Sequence, residues 1–225
     1  MKLLLFGRKG DSLTSACIDY LTSSGFKVDF ILSEFRDEKL PTQCFDQVYD
    51  YIICYRSYFL LPKQLLDRTR LFNINFHPGP PKYPGSGGIN LALLNDDDHF
   101  GVTAHLMNEK IDAGPIIESR NFVIENNDNL LSLLDKTHNS LFELFTDVIS
   151  GITQQGPEFI KKKLEKNKHS WSSDKRKISE IDALQVVDFD IPELELEKRL
   201  RSLNHPKFPL EVYIHGHKFV HKGKD

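Results

Sequence analysis

The chain has 225 residues, with 29 Lys plus Arg against 32 Asp plus Glu, a formal net charge of -3, and 40% hydrophobic and 27% charged residues. That balance is that of an ordinary globular domain, alone or with a small appendage. It excludes the general electrostatic pull toward nucleic acid or anionic lipid that a basic chain exerts. Cys17, Cys44 and Cys54 have no C-x-x-C spacing and form an odd set, which speaks against a disulfide framework or a thiolate zinc site, so reduced thiols in a cytoplasmic protein are expected. The start, MKLLLFGRKG, has an apolar run of only Leu3 to Phe6, too short for an export core. No stretch approaches the roughly 20 apolar residues of a membrane span.

The order of elements predicts an α/β protein. Leu3 to Phe6 reads as a buried strand ending at Gly7, and Ser12 to Ser24 as a helix capped by Asp11 or Ser12, with a stripe of Leu13, Cys17, Tyr20 and Leu21. Lys27 to Leu32, Asp50 to Cys54 and Leu71 to Phe76 read as strands, and Pro62 opens a helical turn over Lys63 to Arg68. Alternating strands and helices imply a Rossmann-like, mostly parallel sheet with helices on both faces. Ile89 to Leu94 is a short helix, Gly101 to Met107 and Pro115 to Val123 are strands, and Leu130 to Ile152 is a long amphipathic helix. Gly156-Pro157 suggests a boundary, giving a domain over 1–155 and a connector with a small C-terminal domain over 156–225. In the latter, Lys161 to Lys177 reads as an exposed helix and connector. Leu194 to Leu203 reads as a helix, and Leu210 to Ile214 with His217 to His221 as a hairpin turned at Gly216.

The stretch NINFHPGPPKYPGSGG, Asn73 to Gly88, interrupts an apolar strand with an amide and an imidazole and follows it with four prolines and four glycines. Proline fixes φ and glycine permits close backbone approach, so the loop is shaped. Asn75 and His77 are two apart and project to one side of an extended strand, opposite Ile74 and Phe76. Downstream, GVTAHLMNEKIDAGPII places Asp112 on a bend defined by Gly114 and Pro115. An amide, a histidine and a carboxylate at one strand end can donate to a developing oxyanion and carry a proton near neutral pH. GRKGDS after the first strand is neither G-x-G-x-x-G nor a P-loop. No metal is expected: His99 falls in the NDDDHF turn and His105 on a strand interior, where a structural role is the ordinary one. Lys161 to Lys163 and Lys175 to Lys177 read as solvated surface.

NINFHPGPP, a spacer and GVTAHLMNEKIDAGPII together resemble the N10-formyltetrahydrofolate-dependent formyltransferases, most of all the sugar-nucleotide N-formyltransferases. The family's Asn-x-His falls on Asn75 and His77 and its Asp-x-Gly on Asp112 and Gly114. The resemblance implies attack of a neutral amine on the formyl carbon, with Asn75 and His77 stabilising the oxyanion and His77 or Asp112 managing the proton. It also implies that main-chain groups of Tyr58 to Pro62 hold the pterin, with Phe59, Leu60 and Leu61 forming an apolar slot.

The resemblance extends to LEKRLRSLNHPKFPLEVYIHGHKF, similar to the start of the C-terminal domain in the methionyl-tRNA and sugar-nucleotide enzymes. It implies a nucleotide-linked amino sugar as acceptor, a dTDP-4-amino-4,6-dideoxyhexose, for surface polysaccharide or O-antigen synthesis. Tyr83, Gly85, Gly87 and Gly88 would wall the sugar pocket, Lys198 and Arg201 would lie near the pyrophosphate, and Tyr83, Trp171, Phe208 or Tyr213 would stack on the base. It further implies a homodimer through the C-terminal hairpin, with no nucleic-acid or membrane partner. A methionyl-tRNA formyltransferase-like enzyme and a catalytically silent folate- or nucleotide-binding module are the alternatives.

Overall fold

The computed structural model describes residues 1–174 and 178–222. Its centre is a six-stranded sheet built from β1 (Lys2–Arg8), β2 (Lys27–Ser33), β3 (Tyr49–Tyr55), β4 (Thr69–His77), β5 (His99–Leu106) and β6 (Ile116–Val123). The spatial order is β2-β1-β3-β4-β5-β6, parallel from β2 to β4, with β5 and β6 added antiparallel. The fold is thus α/β and mostly parallel.

The reason lies in the strand compositions. Leu3 to Phe6 are all buried, as a central strand covered on both faces requires. Leu3 and Leu5 join one cluster with Tyr51, Ile53, Tyr55, Ile74 and Phe76, while Leu4 and Phe6 join the opposite one with Ile52, Cys54 and Phe59. Tyr49 sits with the second set although it shares parity with Tyr51, because the β3–β4 register shifts between those two residues.

The first face is covered by α1 (Ser12–Ser23), α4 (Leu130–Gln155) and α5 (Pro157–Lys166). Asp11 caps α1 by accepting from the Thr14 N–H at 3.0 Å. A reciprocal box of Asn129 and Ser132 starts α4, whose stripe of Leu141, Leu144, Phe145, Val148 and Ile149 is fully buried. The opposite face is covered more thinly, by a 3-10 turn at Thr42–Phe45 and by the single turn of α2 (Lys63–Leu66).

Helix α5 begins at Pro157, and Ile160 is buried in the main cluster, so this segment belongs to the sheet's covering layer. Gly156, at φ 63, turns the chain between α4 and α5, with Pro157 preset for the first helical turn. An additional helix, α6 (Ile178–Leu184), precedes α7 (Glu193–Leu203). Lys175 and Lys177 lie outside the described residues. After α3 (Gly88–Leu94), residue His99 opens β5 in place of the expected turn. The hairpin β7 (Glu211–Ile214) and β8 (His217–Val220) forms a separate two-stranded sheet. Among the described residues no helix is long and apolar enough to cross a membrane.

One consequence concerns pH. His138 on α4 lies beside Arg56 and Asp11, and burial, aided by the Arg56 charge, pushes its imidazole down to about 4. An unfolded histidine ionises near its ordinary value of 6.5. Between the two values the unfolded chain holds a proton that the folded one refuses, so stability rises with pH across that window. We expect stability to fall on acidification from pH 7 to 4, by an amount reduced by the solvent that still reaches the ring. Urea titrations at several pH values check this, and His138→Gln should flatten the profile.

Candidate active site

The carboxyl end of β4 carries the site. Ile74 and Phe76 are buried on the α4 side, which sends Asn75 and His77 to the other side. Antiparallel register sets His105 of β5 directly across from Asn75 and Thr103 across from His77. Residues opposite each other in such a pair share a face. Cys54 of β3 is the lateral partner of Asn75 on the parallel side. Burial pushes the Cys54 thiol up to about 12, so it stays protonated and is no nucleophile.

Asp112 reaches this face from the loop between β5 and β6. Its backbone is left-handed, at φ 43, a conformation that costs a non-glycine residue on the order of 1 kcal/mol. Gly114 makes the bend feasible, because any Cβ there would run into the carbonyl of Leu106. Asp112 Oδ2 accepts from the Gly85 N–H at 2.9 Å, and Gly85 itself has φ 92, a natural place for glycine. The shaped loop after β4 therefore clamps the carboxylate that arrives from the next loop.

Two imidazoles flank that carboxylate. His77 Nδ1 lies 3.3 Å from Asp112 Oδ2 and His105 Nε2 lies 3.3 Å from Asp112 Oδ1. Burial by itself would raise the Asp112 pKa, but His77, His105 and the Gly85 N–H outweigh it and hold the carboxyl at about 2. His77 is pushed below the usual imidazole value, chiefly by burial, with Asp112 pulling the other way and His105 adding to the depression. At neutral pH the pair is therefore a carboxylate beside a neutral imidazole.

Hydrogen-bond chemistry constrains the ring protons. Both neighbours of His77 are acceptors, the Tyr83 carbonyl 3.0 Å from Nε2 and Asp112 Oδ2 3.3 Å from Nδ1, so a neutral ring can donate to only one of them. The Leu106 carbonyl lies 2.8 Å from His105 Nδ1 and can accept a hydrogen from it. His105 Nε2 then accepts from the Asn75 amide at 2.9 Å, while the same amide reaches Asp112 Oδ1 only at 3.4 Å. Asn75, His77 and Asp112 are brought together, and His105 joins them. Among the described residues no group of three or more His, Cys, Asp or Glu side chains is arranged to hold a metal ion.

His105 was expected to be structural, and sequence reasoning missed its place here. The one available signal was its position on the strand leading into the Asp112 loop. Trp171, expected as a candidate to stack on the base, stands beside the imidazoles. Its ring packs edge-on against both His77 and His105, with centroids 5.6 and 5.0 Å away.

The remaining candidates are distributed as follows. Tyr58 donates its N–H to Ser33 Oγ at 2.9 Å and stacks under Arg8, 4.1 Å from the ring centre. Phe59 is buried in the cluster that contains Cys54, with Leu61 against it, whereas Leu60 is exposed. This stretch thus lies on the Asn75 face, next to β3. Tyr83 is buried, its hydroxyl donating to Asp97 at 2.7 Å, so the loop contributes its carbonyl rather than an open ring. Gly87 packs under Ile181 of α6 and Gly88 under Tyr83. Lys198 pairs with Asp96 at 2.7 Å, and Arg201 donates to the Asp128 carbonyl at 2.8 Å. These bonds tie α7 to the end of α3 and the start of α4, and neither cation bonds to the Asn75–His77–Asp112 group. Phe208 and Tyr213 are exposed.

Comparison with known proteins agrees with this geometry. Over 150 residues the chain is 31% identical to the methionyl-tRNA formyltransferase of Macrococcus caseolyticus, covering 64% of this chain and 45% of that protein. The chain spans about a third to a half of the length of the curated relatives it matches. A sugar N-formyltransferase from a Shewanella species superposes with a TM-score of 0.74 at 20% identity, over 98% of this chain and 96% of that one. The N-formyltransferase from Helicobacter canadensis, solved with folinic acid and dTDP-3-aminofucose, superposes with a TM-score of 0.72 at 16% identity, over 96% and 85% of the two chains. At such identities the likeness shows the fold. Residues 3–149, from β1 through most of α4, match the model of the formyl transferase family. The chain belongs to the formyl transferase family.

Proposed function

We propose that the protein moves a formyl group from N10-formyltetrahydrofolate to the amine of a nucleotide-linked amino sugar, with a dTDP-4-amino-4,6-dideoxyhexose as acceptor. The observation that carries formyl transfer is the Asn75–His77–Asp112 group at the end of β4. A silent binding module has no use for a buried carboxylate clamped against a neutral imidazole.

The chemistry forms one C–N bond, breaks another, and relays one proton from the attacking amine toward the departing nitrogen, while charge gathers on the formyl oxygen. His77 is built for the proton. At rest the neutral ring faces two acceptors, Asp112 Oδ2 at 3.3 Å from Nδ1 and the Tyr83 carbonyl at 3.0 Å from Nε2, an arrangement short of one hydrogen. A proton taken by His77 lets both nitrogens donate, and the contact with Asp112 becomes a charge-assisted bond. Burial keeps the imidazole neutral until that moment. Asn75 serves the oxygen. Its bond to His105 fixes the amide plane, and its long 3.4 Å reach to Asp112 is the weak link an oxyanion would replace. The residues suit the folate as well: Leu60 and Leu61 present an apolar edge with main-chain groups beside the catalytic face.

The acceptor class rests on extent and charge. The likeness to sugar N-formyltransferases runs through the C-terminal helix and hairpin and covers nearly all of both chains. A net charge of -3 fits a small ligand better than a tRNA. The curated methionyl-tRNA formyltransferases favour the second reading, transfer to methionyl-tRNA, over the part they share. Tyr213, Phe219 and Val220 of the hairpin are exposed, the surface a second copy would cover in a homodimer.

Hydrogen exchange tests the donor half. 5-Formyltetrahydrofolate should slow exchange around residues 58–62 and 112 and raise the melting temperature, in line with about 2.7 kcal/mol at a hundredfold excess over Kd. Protection confined to residues 193–222 would place the folate elsewhere.

A further inference from the structure

His77, His105 and Asp112 are all buried, at 6%, 2% and 6% exposure. One outer wall over them is Trp171, which belongs to none of the surrounding sheet. The segment after α5 is stitched across the site at three points. The Asn167 amide donates to the Ile116 carbonyl at 2.5 Å, the Trp171 indole N–H donates to the Gly114 carbonyl at 2.8 Å, and the Ser172 N–H donates to the Pro81 carbonyl at 2.9 Å. The strap thus joins the start of β6 to the proline-rich loop. Its indole meets the two imidazoles at 73° and 83°, edge-to-face contacts that restrict the rotation of each ring. The exposed surface could have been sealed by any apolar residue. An indole whose N–H is fixed by the carbonyl two residues after Asp112 also registers the strap to the carboxylate loop.

We propose that Trp171 is a positioning residue for the reaction: pinned to Gly114, it holds His77 and His105 against Asp112 and keeps water from the three. This rests on the formyl-transfer reading for its catalytic consequence, while its physical content is independent of any acceptor. The groups facing His77 are Asp112, His105 and the Tyr83 carbonyl, and the chief cause of its depressed pKa is burial. Removing the indole lets water in, so the His77 ionisation should move back up toward the ordinary imidazole range.

The test compares Trp171→Ala and Trp171→Phe by imidazole NMR titration and by the pH dependence of kcat. In Trp171→Ala we expect the His77 midpoint, and the kcat limb that follows it, to move up by about one unit. Turnover at neutral pH should fall about tenfold, with KM for donor and acceptor changed less than about threefold. Trp171→Phe keeps an apolar ring but loses the bond to Gly114, so its midpoint should fall between those of the unaltered protein and Trp171→Ala. A native-protein readout needs no variant. Trp171 is the single tryptophan, and an imidazolium quenches an adjacent indole, so emission should fall as pH drops through a midpoint below the usual imidazole value. An unmoved His77 midpoint in Trp171→Ala, or emission indifferent to pH, would overturn the proposal. A shifted midpoint in a protein that transfers no formyl group would uphold the positioning and refute the function instead.

Discussion

Replacing His77 with alanine should lower turnover by roughly 10²-fold or more, and Asp112→Asn should do the same, because each removes half of one proton-handling unit. His77 without Asp112 has no charge to stabilise its imidazolium, and Asp112 without His77 keeps only His105, whose ring is engaged by Asn75 and the Leu106 carbonyl. The double variant should be scarcely worse than the worse single one, since both losses fall in the same transition state. Neither residue supports the hydrophobic core, so circular dichroism and melting should show folded proteins. Steady-state kinetics on the three purified variants decide the matter. Near-normal kcat for His77→Ala would remove it from the chemistry.

Phe145→Ala should cost about 3–5 kcal/mol, the largest stability loss expected from a single site. Phe145 is fully buried on α4 and packs against Tyr55 at 5.4 Å and Phe76 at 5.0 Å, with Tyr20 and Phe142 farther round. Phe76 stands between the two catalytic residues of β4, so a cavity beneath it also loosens the strand that presents them. Urea unfolding measures the loss, and a cost under about 1 kcal/mol would mean the core closes around the gap. Turnover should drop through strand disorder even where the variant remains folded.

Particular residues show what the sequence made legible. Asn75 and His77 declared themselves by period-two placement on a strand followed by a loop of prolines and glycines. Asp112 declared itself through the glycine and proline that shape its bend. Strand and helix order was readable because the strands between Leu3 and Phe76 are strongly apolar and their punctuation clear. His105 was hidden for a physical reason: its role depends on an antiparallel register across from Asn75, and pairing register is not written in one strand alone. Trp171 was named as a base-stacking candidate, but its contact with the imidazoles was hidden because it comes from a segment beyond α5, across a large gap in sequence. Gly156-Pro157 looked like a boundary, yet it is the elbow between two helices of the same layer, and Ile160 packs into the main core. Lys198 and Arg201 were expected near the pyrophosphate, and the fold engages them with Asp96 and the Asp128 carbonyl. Charge in sequence does not reveal which acidic neighbours the fold supplies.

The most direct measurement offers the protein N10-formyltetrahydrofolate with a dTDP-4-amino-4,6-dideoxyhexose and, separately, with initiator methionyl-tRNA, at low and at physiological salt. Mass spectrometry of the sugar and gel analysis of the tRNA report the product. A chain that neutralises many phosphates loses affinity steeply with salt, roughly one unit of log-log slope per duplex phosphate contact. We predict a formylated sugar nucleotide, with catalytic efficiency falling only mildly between the two salt conditions, and unmodified tRNA. Formylated methionyl-tRNA at rates matching the sugar, or no formyl transfer to any amino sugar, would contradict the account.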